Sequence, residues 1–476
     1  MNLRRENPCR FKANPTGAQA VLRMLGVSLV LLFARAEGAD PAAPGGGIDL
    51  PTHRAELANG LVVVLAPDPA VPLVAVRLFY KVGSRNEHEG ITGVAHLFEH
   101  MMFNGTEHYG PGMFDRVLEE AGGGGNAFTS TDLTCYTTTV PKNSLETILR
   151  LEADRMTGLQ LQEKILNNER EVVLEEMRQS QEDSAVESAR VVFMASLFQA
   201  HPYRWPVLGW RSDVEGIDAD ACRDFYRTYY APNNAVLALS GDLDVDATLK
   251  LIEDKFGKIP RGPKVPGVRT AEPEREFTSR STVTRRAPNP VLFVGFQGPA
   301  AKDEDHAVLD LADEILAAGP TARLYRRLVL EEKLATDVGL YLGLTVDPGP
   351  MYFEVSLHPG GDPKPVEAII SEELERLAKE PVPAEELERA ITSRTADLVR
   401  QSLESPLARA EAIGESEVLA GDHRRVMKLP AIWRKVDPVR LQQVAAKYFR
   451  PEVAVVTVLS PTPEDGEAEE GEEGSR

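Results

Sequence analysis

The chain has 476 residues, of which 42% are hydrophobic and 26% charged, and its formal net charge is −20. This length exceeds a typical domain of about 150 residues, and the composition excludes collagen-like, coiled-coil and multi-span membrane proteins. The acidic balance argues against nucleic acid as the main partner, because phosphate binding needs clustered Lys and Arg. Three Cys residues exclude a disulfide framework, and the sequence leaves open whether Cys135 and Cys222 pair.

The first 36 residues have the pattern of an export signal. Five basic residues and one acid precede an apolar run over 24–33, which ends in Ala34-Arg35-Ala36. The run is about half of the ~20 residues that span a bilayer, and its end suits a signal peptidase. We therefore expect residues 1–36 to be a cleaved signal peptide and the mature protein to be periplasmic or extracellular, with no stable membrane span. A mitochondrial-type segment and an uncleaved anchor are the alternatives.

Strands and helices follow one another without strict alternation in the first half. The elements predicted from periodicity are, in chain order, strands at 61–65 and 73–82, a helix from about 93, a strand at 128–140 and helices at 144–158 and 163–179. Asn59-Gly60 supplies a turn ahead of the first two strands, which we expect to pair. The pattern favours an α+β fold over a doubly wound parallel sheet.

Two short segments indicate that the chain is a duplication. Tyr230–Val236 and Phe449–Val455 each place a Pro before an apolar run, 219 residues apart. Each half also opens with strand-like runs and continues into helices, which predicts two homologous α+β domains of about 200 residues. We place these domains at 48–260 and 276–460, with a Pro- and Arg-containing linker at 261–275 and an acidic solvated tail at 461–476.

The segment His96-Leu97-Phe98-Glu99-His100 concentrates the candidate chemistry. At about 100° per residue on a helix, His96, Glu99 and His100 share one face. Two imidazoles one turn apart are suited to a tetrahedral zinc ion, and a neighbouring carboxylate can take a proton from metal-bound water. Apolar residues on the other faces predict a buried helix, where these polar side chains would be costly without a partner. A chance surface pattern or a hydrogen-bonded pair is the alternative.

A third metal ligand is expected from the helix at 163–179. Glu169 and Glu176 lie within about 20° of one line along this helix, interleaved with Ile165, Val172 and Val173. Carboxylates on an apolar stripe that faces the core are typical of a metal site, although a solvated face is the common alternative. Glu175 lies about 120° away, so Glu176 is the better candidate of the doublet.

Taken together, these residues resemble the pitrilysin/insulinase family of zinc metallopeptidases, the inverzincins. The resemblance rests on HLFEH, on Glu176 76 residues after His100, and on the further segments Gly125–Tyr136, His201–Gly209 and Tyr229–Asp244. It implies a duplicated α+β fold that forms half of a clamshell-like peptidase.

The resemblance also assigns roles to individual residues. His96, His100 and Glu176 match the ligands of one zinc ion per chain, and Glu99 matches the general base that acts on zinc-bound water. Glu169 matches an acid that supports the site. Asn126 and Ala127 match a strand edge that holds the substrate through main-chain hydrogen bonds. For Asn126, an ordinary turn residue is the alternative.

One departure from the family pattern concerns the second half. Active single-chain members carry an Arg and, seven residues later, a Tyr that contact the substrate, whereas this chain has Val329 and Thr336 there. Two-chain members divide these features between homologous subunits. The resemblance therefore implies the zinc-bearing subunit of an endopeptidase for peptides or unstructured segments, completed by a homologous partner or a second copy. A non-catalytic assembly subunit and an organellar processing peptidase are the rival hypotheses.

Overall fold

Eleven strands form two sheets in the computed structural model, which describes residues 47–462. The predicted signal peptide at 1–36 and residues 463–476 of the predicted tail lie outside the described residues. The strands are β1 His53–Glu56, β2 Val62–Pro67, β3 Leu73–Tyr80, β4 Gly124–Thr129, β5 Thr134–Pro141, β6 Ala235–Gly241, β7 Ser279–Arg285, β8 Val291–Gln297, β9 Ala335–Leu342, β10 Pro350–Leu357 and β11 Val455–Pro461.

Fifteen α-helices accompany these strands in the same part of the chain. They are α1 Val94–Met101, α2 Met113–Glu120, α3 Leu145–Gly158, α4 Glu163–Met177, α5 Ala185–Leu197, α6 Arg211–Gly216, α7 Ala219–Tyr229, α8 Val245–Phe256, α9 Glu304–Leu316, α10 Arg323–Tyr325, α11 Pro363–Lys379, α12 Ala384–Leu398, α13 Pro406–Ala420, α14 Arg425–Trp433 and α15 Pro438–Tyr448. In the described range, no helix has the length and apolar character needed to cross a bilayer.

The two sheets repeat one topology. The first has the order β1-β2-β6-β3-β5-β4 and the second the order β7-β11-β8-β10-β9. In each sheet one pair is parallel, β2 with β6 and β7 with β11, and the remaining neighbours are antiparallel. The predicted α+β duplication is thus what the fold contains, with β1 as an addition to the first sheet.

Two strand predictions were wrong. The runs at 61–65 and 73–82 do form strands, but β6 lies between β2 and β3, so these two strands do not pair. The Asn59-Gly60 turn instead joins β2 to β1, a strand that the periodicity did not predict. The run at 128–140 is a hairpin of β4 and β5 rather than one strand, because residues 130–133 turn the chain back. Local apolar patterning cannot distinguish these arrangements, since strand order depends on distant segments.

Each half covers one face of the other half's sheet. α5, from the first half, packs Phe193 against Phe293 and Tyr352 of the second sheet, with ring centroids 5.5 and 5.0 Å apart. Reciprocally, α13 lies on the first sheet, where Gly414 stands so close to Phe79 that an added Cβ would lie 2.1 Å from the ring. Both faces of β2 are therefore buried, which explains its continuous apolar sequence.

The segment predicted as a linker connects the halves without regular structure. Residues 257–278 form neither helix nor strand, but side chains of this segment are hydrogen-bonded to the backbone of the first half. The Glu272 carboxylate accepts three backbone N–H groups at 199–201, and the guanidinium of Arg275 donates to the carbonyls of Ser196 and Leu197. The predicted tail begins too early, because β11 continues through Pro461.

The two cysteines of the described range are free thiols on opposite faces of the first sheet. Cys135 of β5 faces the layer formed with α13, whereas Cys222 of α7 belongs to the core under the sheet's own helices.

Candidate metal centre

Helix α1 begins at a position that only glycine tolerates. Gly93 has a φ of +90°, and an added Cβ would lie 2.4 Å from the carbonyl oxygen of Leu208. The buried carboxylate of Glu87 accepts the N–H groups of Gly93 and Ala95, both at 2.8 Å, and so satisfies the first donors of the helix. Leu97, Phe98 and Met101 are fully buried, as the sequence predicted. Because these side chains are held in the core, the face of α1 that carries His96 and His100 is directed toward α4.

Three side chains from α1 and α4 converge on one point. Nε2 of His96 and Nε2 of His100 lie 3.7 and 3.4 Å from the same carboxylate oxygen of Glu176. In the described chain, these three residues are the only group in which His, Cys, Asp and Glu ligand atoms all lie within 4.8 Å of one another. Ligand atoms around a tetrahedral zinc ion are about 3.3–3.6 Å apart for bonds of ~2.0–2.2 Å, so this donor set fits zinc.

The site is closed on the protein side and open toward solvent. His96 is 7% exposed, whereas the side chain of Glu176 is 45% exposed. Nε2 of His96 is the ring nitrogen directed toward Glu176. Nδ1 of the same ring is buried and has no hydrogen-bond partner among residues 47–462. Access from solvent beside three candidate ligands is typical of catalytic rather than structural zinc sites.

Glu169 holds the ring of His100 from the other side. Its carboxylate lies 3.6 Å from Nδ1 of His100, which directs Nε2 of that ring toward Glu176. Burial by itself lowers the pKa of His100, but hydrogen bonds with Glu169 and Glu176 and the charges of Glu176 and Glu99 raise it to about 9. Burial and the neighbouring His100 lower the pKa of His96 to about 4. The two imidazoles therefore differ in protonation at neutral pH.

The stripe predicted on α4 is only partly directed at the core. Val173 is fully buried, but Val172 is 48% exposed, so the prediction for that residue was wrong. Glu175 points to solvent, where Arg178 pairs with it. α1 packs against α4, but Val172 lies outside the part of the α4 surface that is buried.

Glu99 lies beside the cluster and not in it. Its carboxylate oxygen Oε2 accepts a hydrogen bond from the Thr129 hydroxyl at 2.7 Å. Burial raises the pKa of Glu99 despite this bond. Glu99 lines one cavity of about 500 Å³ together with His96 and Glu176. A carboxylate at this position can accept a proton from a group bound in the cavity.

The rest of that cavity is mainly apolar. Its walls include Phe128, Met194, Trp205, Val207 and Leu208. One cationic side chain, Arg190 of α5, also lines the cavity and pairs with Glu354 of β10 at 2.8 Å.

Asn126 and Ala127 lie on β4, at the free edge of the first sheet in the described chain. Asn126 is exposed and Ala127 is buried, and β4 pairs only with β5. The same strand ends at Thr129, which bonds Glu99. The predicted peptide-binding edge therefore leads directly to the predicted base.

Sequence reasoning missed a buried polar network that supports this strand. The hydroxyl of Tyr203 donates to the Asp132 carboxylate at 2.8 Å, in the turn between β4 and β5. The backbone N–H of Asp347 donates to the Tyr203 hydroxyl, and the Asp347 carboxylate pairs with Arg85 and contacts His201. Asp347 comes from the second half, so no local pattern indicated it. The available signal was the segment His201–Gly209, used only for its family resemblance.

The two positions that depart from the family pattern belong to the second half of the chain, whose hydrophobic core is separate from the core around α1. Val329 packs against that core, and Thr336 is exposed on β9, where its hydroxyl bonds the carbonyl of Ser356. The neighbouring Arg323 and Arg327 form salt bridges with Glu386 and Glu332. These two guanidinium groups therefore already have carboxylate partners.

Two family profiles match this chain. The profile described as insulinase, peptidase family M16, matches residues 62–209, and the profile of the peptidase M16 inactive domain matches residues 216–394. The zinc protease PqqE of Helicobacter pylori is 30% identical over 400 residues, which cover 81% of this chain and 87% of that protein.

Solved structures show the same fold. A crystal structure of a protease from H. pylori has a TM-score of 0.83 and 27% identity, covering 87% of this chain and all of the other. The periplasmic protease PqqL of Escherichia coli has a TM-score of 0.71 and 20% identity; it covers 87% of this chain, which corresponds to 48% of that longer protein. The two-domain α+β architecture expected from the sequence is confirmed by these similarities.

Proposed function

The chain belongs to the insulinase family of peptidases, M16, and we propose that it is a zinc-dependent endopeptidase acting on peptides or unstructured protein segments. The observation that carries this proposal is the cluster of His96, His100 and Glu176, which shares a cavity with Glu99. We assign the three cluster residues as ligands of one zinc ion per chain. Bound zinc supplies Lewis acidity and an activated water molecule for attack on a carbonyl carbon.

Glu99 is assigned as the general base. Its carboxylate, oriented by the hydrogen bond from the Thr129 hydroxyl, takes the proton from water and returns it to the leaving amine. Burial, which raises the pKa of Glu99, favours this exchange near neutral pH. Glu169 orients His100 and does not contact the substrate in this assignment.

The substrate is proposed to lie as an extended strand against β4. Main-chain groups at Asn126 and Ala127 lie on the edge of the sheet, and such pairing binds a peptide with little dependence on its sequence. The apolar wall of Phe128, Met194 and Trp205 favours a large apolar side chain beside the scissile bond. A folded protein would not present such a strand, which supports unstructured segments as substrates.

A homologous second subunit is proposed to complete the site. Val329 and Thr336 supply neither the Arg nor the Tyr expected there, and Arg323 and Arg327 are engaged elsewhere. The partner is a related chain with the Arg/Tyr pair or a second copy of this chain. The intact set of Glu99 and the three proposed ligands argues against a purely structural subunit.

Export of the protein is part of the proposal. It rests on residues 1–36, whose basic start, apolar run and Ala-x-Ala end follow the pattern of a signal peptide. The described chain has no helix suited to spanning a membrane. We place the mature protein in the periplasm or outside the cell, which disfavours a processing role in an organelle.

The test is hydrolysis of a quenched fluorescent peptide library by the zinc-loaded chain. The chain is assayed alone and mixed with a homologue that carries the Arg/Tyr pair, and Glu99→Gln is the control for both. Activity that appears only in the mixture is the expected result. Full activity of the chain alone would overturn the two-chain proposal, and inactivity in both assays with zinc bound would favour the non-catalytic assembly role.

A further inference from the structure

The duplication creates a second cavity at the position equivalent to the candidate metal centre. The first cavity is lined by α1, β4, α4 and α5. The second cavity, of about 340 Å³, is lined by α9, β9, α12 and α13. In the chain order of the second half, these elements correspond to α1, β4, α4 and α5 of the first half. Each half of the chain thus has a cavity at the equivalent position, but different side chains line the two cavities.

The basic groups of the second cavity already have partners. Arg394 donates to the Asp310 carboxylate at 3.2 Å, and Arg425 donates to the carbonyl of Asp303 at 3.3 Å. The ring of His306 lies 3.3 Å from the carbonyl of Gly343, and burial lowers its pKa, which disfavours its charged form. An anionic ligand would therefore have to displace the Asp310 carboxylate from Arg394 or the Asp303 carbonyl from Arg425.

Three polar side chains in the same wall form no direct hydrogen bond or salt bridge with other described residues. Asp313, Glu415 and Ser416 make no side-chain hydrogen bond or salt bridge within residues 47–462, and Ser416 is 91% buried. Burial raises the pKa of Asp313 to about 7 against the opposing charge of Arg394, and burial together with Glu411 raises that of Glu415 to about 7. Carboxylates held in this way favour a cation that restores their lost solvation.

The remaining wall suits an aliphatic stem. Leu340, Leu342, Leu398 and Leu419 line the cavity, and a Lys or Arg side chain packs its methylene groups on such a surface while its charged end reaches a carboxylate. β9 forms the free edge of the second sheet in the described chain, and Tyr341 on it is 50% exposed. This edge offers unpaired main-chain groups beside the cavity.

We infer that the second cavity binds the Lys or Arg side chain of a peptide that lies along β9, with Asp313 and Glu415 pairing its charge and the Ser416 hydroxyl accepting a hydrogen bond. The inference rests on the proposed function only in taking a peptide as the ligand. Binding in this cavity requires no hydrolysis, so a binding experiment can test the inference independently of the peptidase assignment.

The test measures binding of two labelled peptides to the full chain. The zinc-loaded Glu99→Gln variant is titrated with a fluorescein-labelled, N-acetylated octapeptide that contains one Lys, and with the same peptide containing norleucine instead. Chromatography verifies that both peptides stay intact. We expect the Lys peptide to bind at least about tenfold more tightly, which corresponds to about 1.4 kcal/mol. Because β4 is also proposed to bind peptides, the labelled Lys peptide is titrated again with the unlabelled norleucine peptide present in saturating amount. The absence of any Lys-dependent binding under that condition would overturn the inference.

Variants of the wall localise the effect. Adding Asp313→Asn and Glu415→Gln together should abolish the preference for Lys, whereas adding Glu404→Gln, an exposed acid outside the cavity, should leave it unchanged. A preference that survives the double change would place the cationic group elsewhere and overturn the site. Spermidine serves as a probe that carries amines but no peptide backbone. If spermidine binds more tightly than the Lys peptide, the proposal that a peptide side chain occupies the cavity is overturned.

Discussion

The Thr129 hydroxyl donates a hydrogen bond to Oε2 of Glu99 at 2.7 Å, which joins the end of the edge strand β4 to α1, the helix that carries two of the three proposed metal ligands. A substrate held along β4 is thereby aligned with the proposed base.

Replacing Thr129 by Val should lower kcat about tenfold to a hundredfold with little change in KM, because the carboxylate loses its fixed orientation. Thr129→Ser keeps the hydroxyl and should retain most of the activity. Steady-state kinetics on one peptide, with zinc content measured for both variants, tests this. Equal losses in the Val and Ser variants would show that packing and not the hydroxyl is required.

Glu99→Gln should abolish turnover while zinc remains bound. The amide cannot take a proton from water, and loss of a general base typically costs a factor of about 10²–10⁴. Glu99 is not one of the three clustered residues, so metal content should stay near one ion per chain. The measurement is peptide hydrolysis alongside metal analysis of the same sample. Residual full activity would remove Glu99 from the mechanism.

Glu176→Ala should reduce zinc content well below one ion per chain, because it removes one of three convergent donors. Glu175→Ala provides a matched control. Glu175 is the adjacent carboxylate on the same helix, but it faces solvent and pairs with Arg178. Metal analysis after dialysis against a weak chelator distinguishes the two. Loss of zinc in both variants, or in neither, would contradict the ligand assignment.

Zinc affinity should keep rising with pH up to about pH 9. Hydrogen bonds with Glu169 and Glu176 overcome the effect of burial and raise the pKa of His100 to about 9 in the zinc-free chain. Below that pH zinc must displace a proton from His100, so affinity should change up to about tenfold per pH unit. Competition with a chromophoric chelator between pH 7 and 9 measures this. A flat profile would contradict it, and Glu169→Gln should move the plateau to lower pH.

Phe193→Ala should destabilise the whole chain by about 3–5 kcal/mol, the usual cost of truncating a fully buried Phe. Phe193 belongs to the first half but packs on the second sheet, so both halves should unfold in one transition. Val192→Ala, at an exposed neighbouring position, is the control and should cost little. Denaturant unfolding followed by fluorescence and circular dichroism tests both points. Two separate transitions in the parent chain would contradict this coupling.

The sequence predicted several features whose signal is local. The spacing of His96, Glu99 and His100 placed all three on one face of a helix, and the phase of α4 separated Glu176 from the exposed Glu175. The Pro-containing repeats at 230–236 and 449–455 indicated the duplication, and both lead into equivalent strands, β6 and β11. The role of each proposed site residue stays a prediction until the variants are measured.

Strand order and the polar support of the site were beyond the sequence. The insertion of β6 between β2 and β3 depends on residues about 170 positions away in the chain. Val172 met the same helical criterion as Val173 but is exposed, since α1 covers only part of that face. Asp347 reaches Tyr203 and Arg85 from the other half.

By itself, the sequence determined the two helices that carry the candidate ligands and the α+β class, because these depend on periodicity within a few turns of chain. It also indicated the duplication, because a short motif recurs 219 residues later. Only the tertiary structure decided which helix covers which sheet, how Thr129 and the Asp132–Tyr203 network hold the edge strand, and where the second cavity lies. These features arise from contacts between segments far apart in sequence, where packing and the pairing of buried polar groups outweigh local propensity.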